Sequence, residues 1–249
     1  MAENNTENLG KKLEMGALLA VIYAVLAGIS TQLVIIPGVT GYRIMDMLPI
    51  VYGMLFGNIG AFACGVGVLF AEAFANQLSF VSFGAFLGAY GAAYIPFRVW
   101  QGMKSSREPV LVLESSRTYT MFIVLAVLAA VPQALVIPLL ADRMGMVPYT
   151  KAFGVIIVNS LFFSVVGGTI LYKLFSLRFL EGTSHELWLL VRDTKTSTKR
   201  LSVALLRLTL TALCVGLAFM AILPQEFGQS IVVYVMGGFS VVLLVLTRI

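Results

Sequence analysis

The sequence predicts an all-α membrane protein: a polytopic helix bundle with a six-helix core and a C-terminal two-helix hairpin. Three observations predict it. Of 249 residues, 59% are apolar and only 12% are charged, where an ordinary soluble domain carries about 25% charge. The apolar residues are gathered into runs close to the roughly 20 residues that a membrane-crossing helix needs. Lys and Arg then fall on alternate sides of the resulting helices, as they do when cytoplasmic segments retain the positive charge.

The runs, in order, are Met15–Ile36, Met47–Gly57, Ile59–Phe74, Val81–Arg98, Tyr119–Leu140, Ala152–Phe175, Leu201–Leu223 and Ser230–Thr247. Met47–Gly57 is short for a crossing and reads as tilted, bent or extended by the loop before it. The turn Leu55-Phe56-Gly57-Asn58-Ile59-Gly60 leaves room only for a tight hairpin. With the N-terminus in the cytoplasm, 14 of the 17 Lys and Arg residues fall inside and three, Arg43, Arg143 and Lys151, fall outside. That asymmetry places both termini in the cytoplasm. The net charge of +5 is thereby accounted for by membrane orientation, and no nucleic-acid partner is expected.

Residues 1–180 form the expected substrate-binding core, 181–202 a basic cytoplasmic linker and 203–249 the terminal hairpin. Within the linker, His185–Val191 suits either a short interfacial helix or a solvated loop. His185, the single histidine, reads as a bystander there. The N-terminal segment is polar for too long to be a cleavable signal peptide, so the first span is expected to be retained. Cys64 and Cys214 lie in separate apolar runs and read as small buried residues rather than a disulfide or metal pair.

Small residues recur every fourth position in three of the runs. Gly16, Ala20, Ala24 and Gly28 lie on one face of the first helix, a smooth strip along which another helix can approach. Gly84, Gly88 and Ala92 repeat the pattern, as do Ser160, Ser164 and Gly168. For these two runs internal packing is the plainer reading; for the first helix, an interface with another protein stands beside it.

Polar side chains inside apolar helices are costly and mark sites or water-filled cavities. At about 1.5 Å per residue, Gln32, Glu72, Asn76, Tyr90, Gln133 and Asn159 all fall in the outer half of the bundle. Arg43 and Asp46 are expected in an outer loop above them. The asymmetry describes a cavity open to the outside and closed by apolar packing below. The candidate substrate-binding residues are therefore Arg43, Asp46, Glu72, Asn76, Tyr90, Gln133 and Asn159. An arginine suits a carboxylate or phosphate; Asp46 and Glu72 suit an amine equally well.

No clustered His, Cys and carboxylate set suggests a metal, no GxSxG elbow suggests a hydrolase, and no GxxxxGK[ST] loop suggests ATP hydrolysis. No catalytic residue, metal or cofactor is expected. Transport would need energy from a partner.

Ala20-Val21-Ile22-Tyr23-Ala24, and the segment from Arg43 through Leu48-Pro49, Gly53 and Leu55-Phe56-Gly57 to Gly60, carry a resemblance. With six helices in about 180 residues, they resemble the substrate-binding (S) components of energy-coupling factor vitamin transporters. The resemblance covers roughly Met15 to Arg178. It implies a subunit of a prokaryotic cell membrane that captures a water-soluble vitamin or precursor from outside. It implies as partners a transmembrane coupling protein and two ATPase subunits, docked on the strip of Gly16, Ala20, Ala24 and Gly28. The two terminal helices are additional to that family's pattern; a specialised docking element and a relative working alone or in another complex are both open. A structural or accessory subunit of a membrane complex, or an intramembrane enzyme acting on a lipid or isoprenoid, are the readings from other classes.

Overall fold

A computed structural model of the chain describes residues 2–31, 33–36, 40–103, 111–181 and 208–209. The helices are α1 (Ala2–Thr31), α2 (Met47–Phe56), α3 (Asn58–Phe74), α4 (Phe80–Met103), α5 (Ser116–Arg143), α6 (Tyr149–Phe162) and α7 (Gly168–Glu181). A π-helical turn, Phe163–Gly167, joins α6 to α7 in one continuous rod. Between α1 and α2 the chain makes a two-stranded antiparallel ribbon, β1 (Val34–Ile36) and β2 (Thr40–Gly41), and one 3-10 turn at Ile44–Asp46. The linker from residue 182 onward, with His185, and Gln32, Cys214 and nearly all of the terminal hairpin lie outside the described residues.

Among the described residues, four helical stretches are long and apolar enough to cross a membrane: Gly10–Ser30, Phe80–Met103, Ser116–Arg143 and Tyr149–Ser176. The expected core of six crossing helices is therefore four helices of spanning length and a hairpin of two shorter ones. At 10 residues, α2 extends only about 15 Å, half of a typical hydrocarbon core. Nevertheless all of its residues from Leu48 to Phe56 are buried. A segment that short is stable among lipids only when its neighbours enclose it, because its end would otherwise leave backbone groups unsatisfied in hydrocarbon.

The enclosure is made by removing side chains where α2 meets its neighbours. A Cβ on Gly53 would lie 2.0 Å from the carbonyl oxygen of Ala93, so α2 and α4 touch backbone to backbone. Gly57 alone separates α2 from α3. Its φ of +63° is one that L side chains rarely adopt, and a Cβ there would strike the Phe97 ring at 2.8 Å. The tight hairpin expected at Leu55–Gly60 forms for that reason.

The strip on α4 works as internal packing. A Cβ on Gly84 would meet Leu140 at 2.7 Å, and one on Gly88 the Cα of Gln133 at 3.0 Å. Just beyond, Gly91 faces Pro132, which cannot donate a backbone hydrogen bond within α5. At its start α5 is fixed by a capping box, in which Ser115 and Thr118 satisfy each other's backbone N–H groups. These contacts hold Gln133 close to the bundle axis.

On α1, Leu19, Ala20, Tyr23 and Ala27 are buried, while Leu18, Val21, Ile22, Val25 and Ile29 are exposed. The buried side rests on α3, where a Cβ on Gly67 would lie 2.8 Å from both the Ala20 carbonyl and the Tyr23 Cβ. The outward side offers branched aliphatic groups suited to acyl chains or to an apolar partner helix.

Candidate functional site

Two charged side chains are tucked into this bundle, and that requires partners. Arg43 is 6% exposed and Asp46 is fully buried. The two are joined by a salt bridge of 2.9 Å from the arginine Nε to Asp46 Oδ2. Nη2 of Arg43 donates to Oε1 of Gln133 on α5. The hydroxyl of Ser160 on α6 donates to the same Asp46 Oδ2, and that of Ser164, in the π turn, donates to the Asp46 backbone carbonyl at 3.0 Å. Five side chains from three regions of the chain thus form one hydrogen-bonded cluster.

Its depth corrects the expectation of an outer loop. Gln133 lies about ten residues before the end of α5, and Ser160 about eleven after the start of α6. Both are roughly 15 Å below the turn that joins those helices. Arg43 and Asp46 bond to them, so the pair sits at mid-bundle height rather than above the helices. The ribbon and 3-10 turn carry the chain inward before α2 begins, which is why α2 is short.

The other expected residues divide. Glu72, near the end of α3, is partly buried, within reach of the Ser82 hydroxyl and close enough to act electrostatically on Arg43. It borders the cluster without joining it. Asn159 is buried, but one residue turns a helix by about 100°, so its neighbour Ser160 is the side chain that meets Asp46. Asn76 is exposed at the end of α3, with a φ of +53° that closes the helix. Tyr90 donates to Oδ1 of Asn58 at 3.1 Å and stacks on Tyr94 at 5.3 Å. Tyr94 in turn accepts from Nε of Arg98 at 2.7 Å. Tyr90 therefore belongs to a separate polar ladder that runs down α4, away from the Arg43 cluster.

The strip on α1 also divides. Ala20 is buried against α3, and a Cβ on Gly16 would touch Ile59 at 3.3 Å. Ala24 and Gly28 instead help line an apolar groove of about 510 Å³ between α1 and α3, with Val21, Val25, Phe70 and Phe74 among its walls.

Sequence reasoning missed Ser160, Ser164 and Tyr23. The serines carried a signal, the spacing of four, but it reads as packing because a small hydroxyl on a smooth face looks like glycine. Tyr23 sits within the Ala20–Ala24 motif, where the small residues on either side carry the pattern. In the structure it is fully buried on the side of α1 that packs against the 3-10 turn, within electrostatic reach of Asp46 and Arg43. Among the described residues, neither its hydroxyl nor Asp46 Oδ1 has a hydrogen-bond partner.

Comparison with known proteins finds no matching family model, no matching curated protein and no matching solved structure.

Proposed function

We propose that the chain is a membrane-embedded substrate-binding subunit that takes up a small water-soluble micronutrient from outside a prokaryotic cell, energised by partner ATPase subunits. The six helices of residues 1–180 serve as its binding core, with both termini in the cytoplasm. One observation carries this reading: the unpartnered Asp46 Oδ1 and Tyr23 hydroxyl beside a buried ion pair. Buried polar atoms in folded proteins nearly always have a partner; of the buried side-chain atoms without one among the described residues, which also include Tyr52, Trp100 and Tyr149, Asp46 Oδ1 is the one that belongs to an ionised side chain. A purely structural ion pair is favoured when its remaining lone pairs are satisfied within the protein. Here they are left for something else. The resemblance of the Arg43–Gly60 segment to the S-component signature supports the same reading independently.

Native mass spectrometry of the full chain released from mild detergent tests it. The expected spectrum contains a bound small molecule in the wild type. A spectrum showing only the unliganded chain and lipid adducts contradicts the proposal.

A second reading, an accessory subunit of a larger membrane complex, is favoured by the apolar groove between α1 and α3. Ala24→Trp fills that groove without disturbing the cluster, whereas Ala20→Trp would clash with α3 and test only folding. Under the uptake reading, Ala24→Trp abolishes transport in cells and leaves the bound molecule in place. Under the accessory reading no molecule is bound, and the variant releases the chain from its complex.

A further inference from the structure

The binding reading leaves the ligand's chemistry open, and the charges around the cluster narrow it. Arg43 supplies one positive charge; Asp46 and Glu72 supply two carboxylates. Two of the arginine's N–H groups are already committed, Nε to Asp46 Oδ2 and Nη2 to Gln133 Oε1. The first of these bonds is charge-assisted and therefore among the stronger kind. An anionic ligand would bring a further negative charge into a poorly hydrated interior beside Asp46 and would leave Asp46 Oδ1 without a donor. Three N–H groups of the guanidinium remain, but the buried atoms of the site that lack a partner are of the opposite kind. An ionised aspartate only accepts hydrogen bonds, and its Oδ1 is buried without a donor. The Tyr23 hydroxyl, buried on the neighbouring face of α1, adds an oxygen that both donates and accepts.

We propose that the site recognises a cationic N–H donor, such as an ammonium, an amidinium or a protonated nitrogen heterocycle, whose N–H is donated to Asp46 Oδ1 and whose adjoining polar group meets the Tyr23 hydroxyl. This proposal rests on the binding reading and is separable from it by experiment.

Full-length protein purified from membranes is extracted with acid, and the released small molecules are identified by accurate mass, for the wild type, Asp46→Asn and Tyr23→Phe. The wild type is expected to release a compound with a basic nitrogen. Asp46→Asn should lose roughly tenfold or more of it, since truncating a buried charged partner carries a loss of that order. Tyr23→Phe, which leaves the ion pair untouched, should lose severalfold, and it decides the matter alone if Asp46→Asn fails to accumulate. A released compound without a basic nitrogen, or one retained undiminished by both variants, overturns the cationic assignment and leaves the binding reading standing. A wild type that releases nothing overturns both, because water then satisfies the two buried oxygens.

Discussion

Asp46 stands between two demands. Moving an ionised carboxylate and a guanidinium out of water costs several kcal/mol for each ion, and only close, well-directed hydrogen bonds offset it. Arg43, Ser160 and Ser164 meet that demand at one carboxylate oxygen and the backbone carbonyl, while Oδ1 is left without a donor. Removing one charge is therefore worse than removing both. Asp46→Ala, which strands the guanidinium, is expected to destabilise the protein by about 3–5 kcal/mol, whereas Arg43→Met with Asp46→Leu should cost much less. Thermal unfolding of both variants in one detergent checks this; equal losses would mean that the pair is not enclosed. The spacing of three between Arg43 and Asp46 was legible in the sequence. Their depth was not, because it depends on where a ribbon and a 3-10 turn lead the chain, and short irregular segments leave no periodic pattern to read.

Among the elements, α2 shows what periodicity can and cannot reveal. Its ends are written in the sequence: Pro49 in the first turn, where a missing N–H is harmless, and Gly57 at the turn into α3. Its role as a buried half-length helix depends on neighbours far along the chain. Gly53 carries that dependence. Gly53→Ala would press a methyl group into the Ala93 carbonyl, and overpacking of this kind costs about 1–3 kcal/mol or more. Gly28→Ala meets nothing within 4 Å and should be neutral or gain about 0.5–1 kcal/mol from the stiffer helix. Unfolding midpoints measured side by side should move in opposite directions, or only the first should fall. The strips on α1, α4 and α6 were all visible as spacings of four, yet they serve three purposes. On α4 the strip seats α5; on α6 it supplies hydroxyls to Asp46; on α1 it divides between contact with α3 and the wall of a groove. Spacing alone reports that a face is smooth, and what approaches that face is decided by the fold.

For the whole molecule, the composition and the apolar runs sufficed to identify a bundle of membrane-length helices, and four such helices lie among the described residues. The enclosure of α2 did not follow, since hydropathy weighs a buried 10-residue helix as it weighs a lipid-facing one. The convergence of Arg43, Asp46 and Gln133 was foreseen, but as the lining of a cavity under an outer loop; the structure draws the loop itself into the bundle. One distance reports that inward path. A Cβ on Gly167, in the π turn, would lie 3.0 Å from the Cβ of Met47, close to the spacing of about 3.5–4.5 Å that a disulfide bridges. Were residues 43–47 an outer loop level with the α5–α6 turn, position 47 would be about 27 Å from position 167 along the helix axis. Met47→Cys with Gly167→Cys, in a chain also carrying Cys64→Ala and Cys214→Ala, is oxidised in membranes with copper phenanthroline and assayed by mass spectrometry after digestion. An intramolecular disulfide between the two positions is expected in most of the protein. Two free thiols, with position 47 modified by a membrane-impermeant reagent added outside, would contradict it.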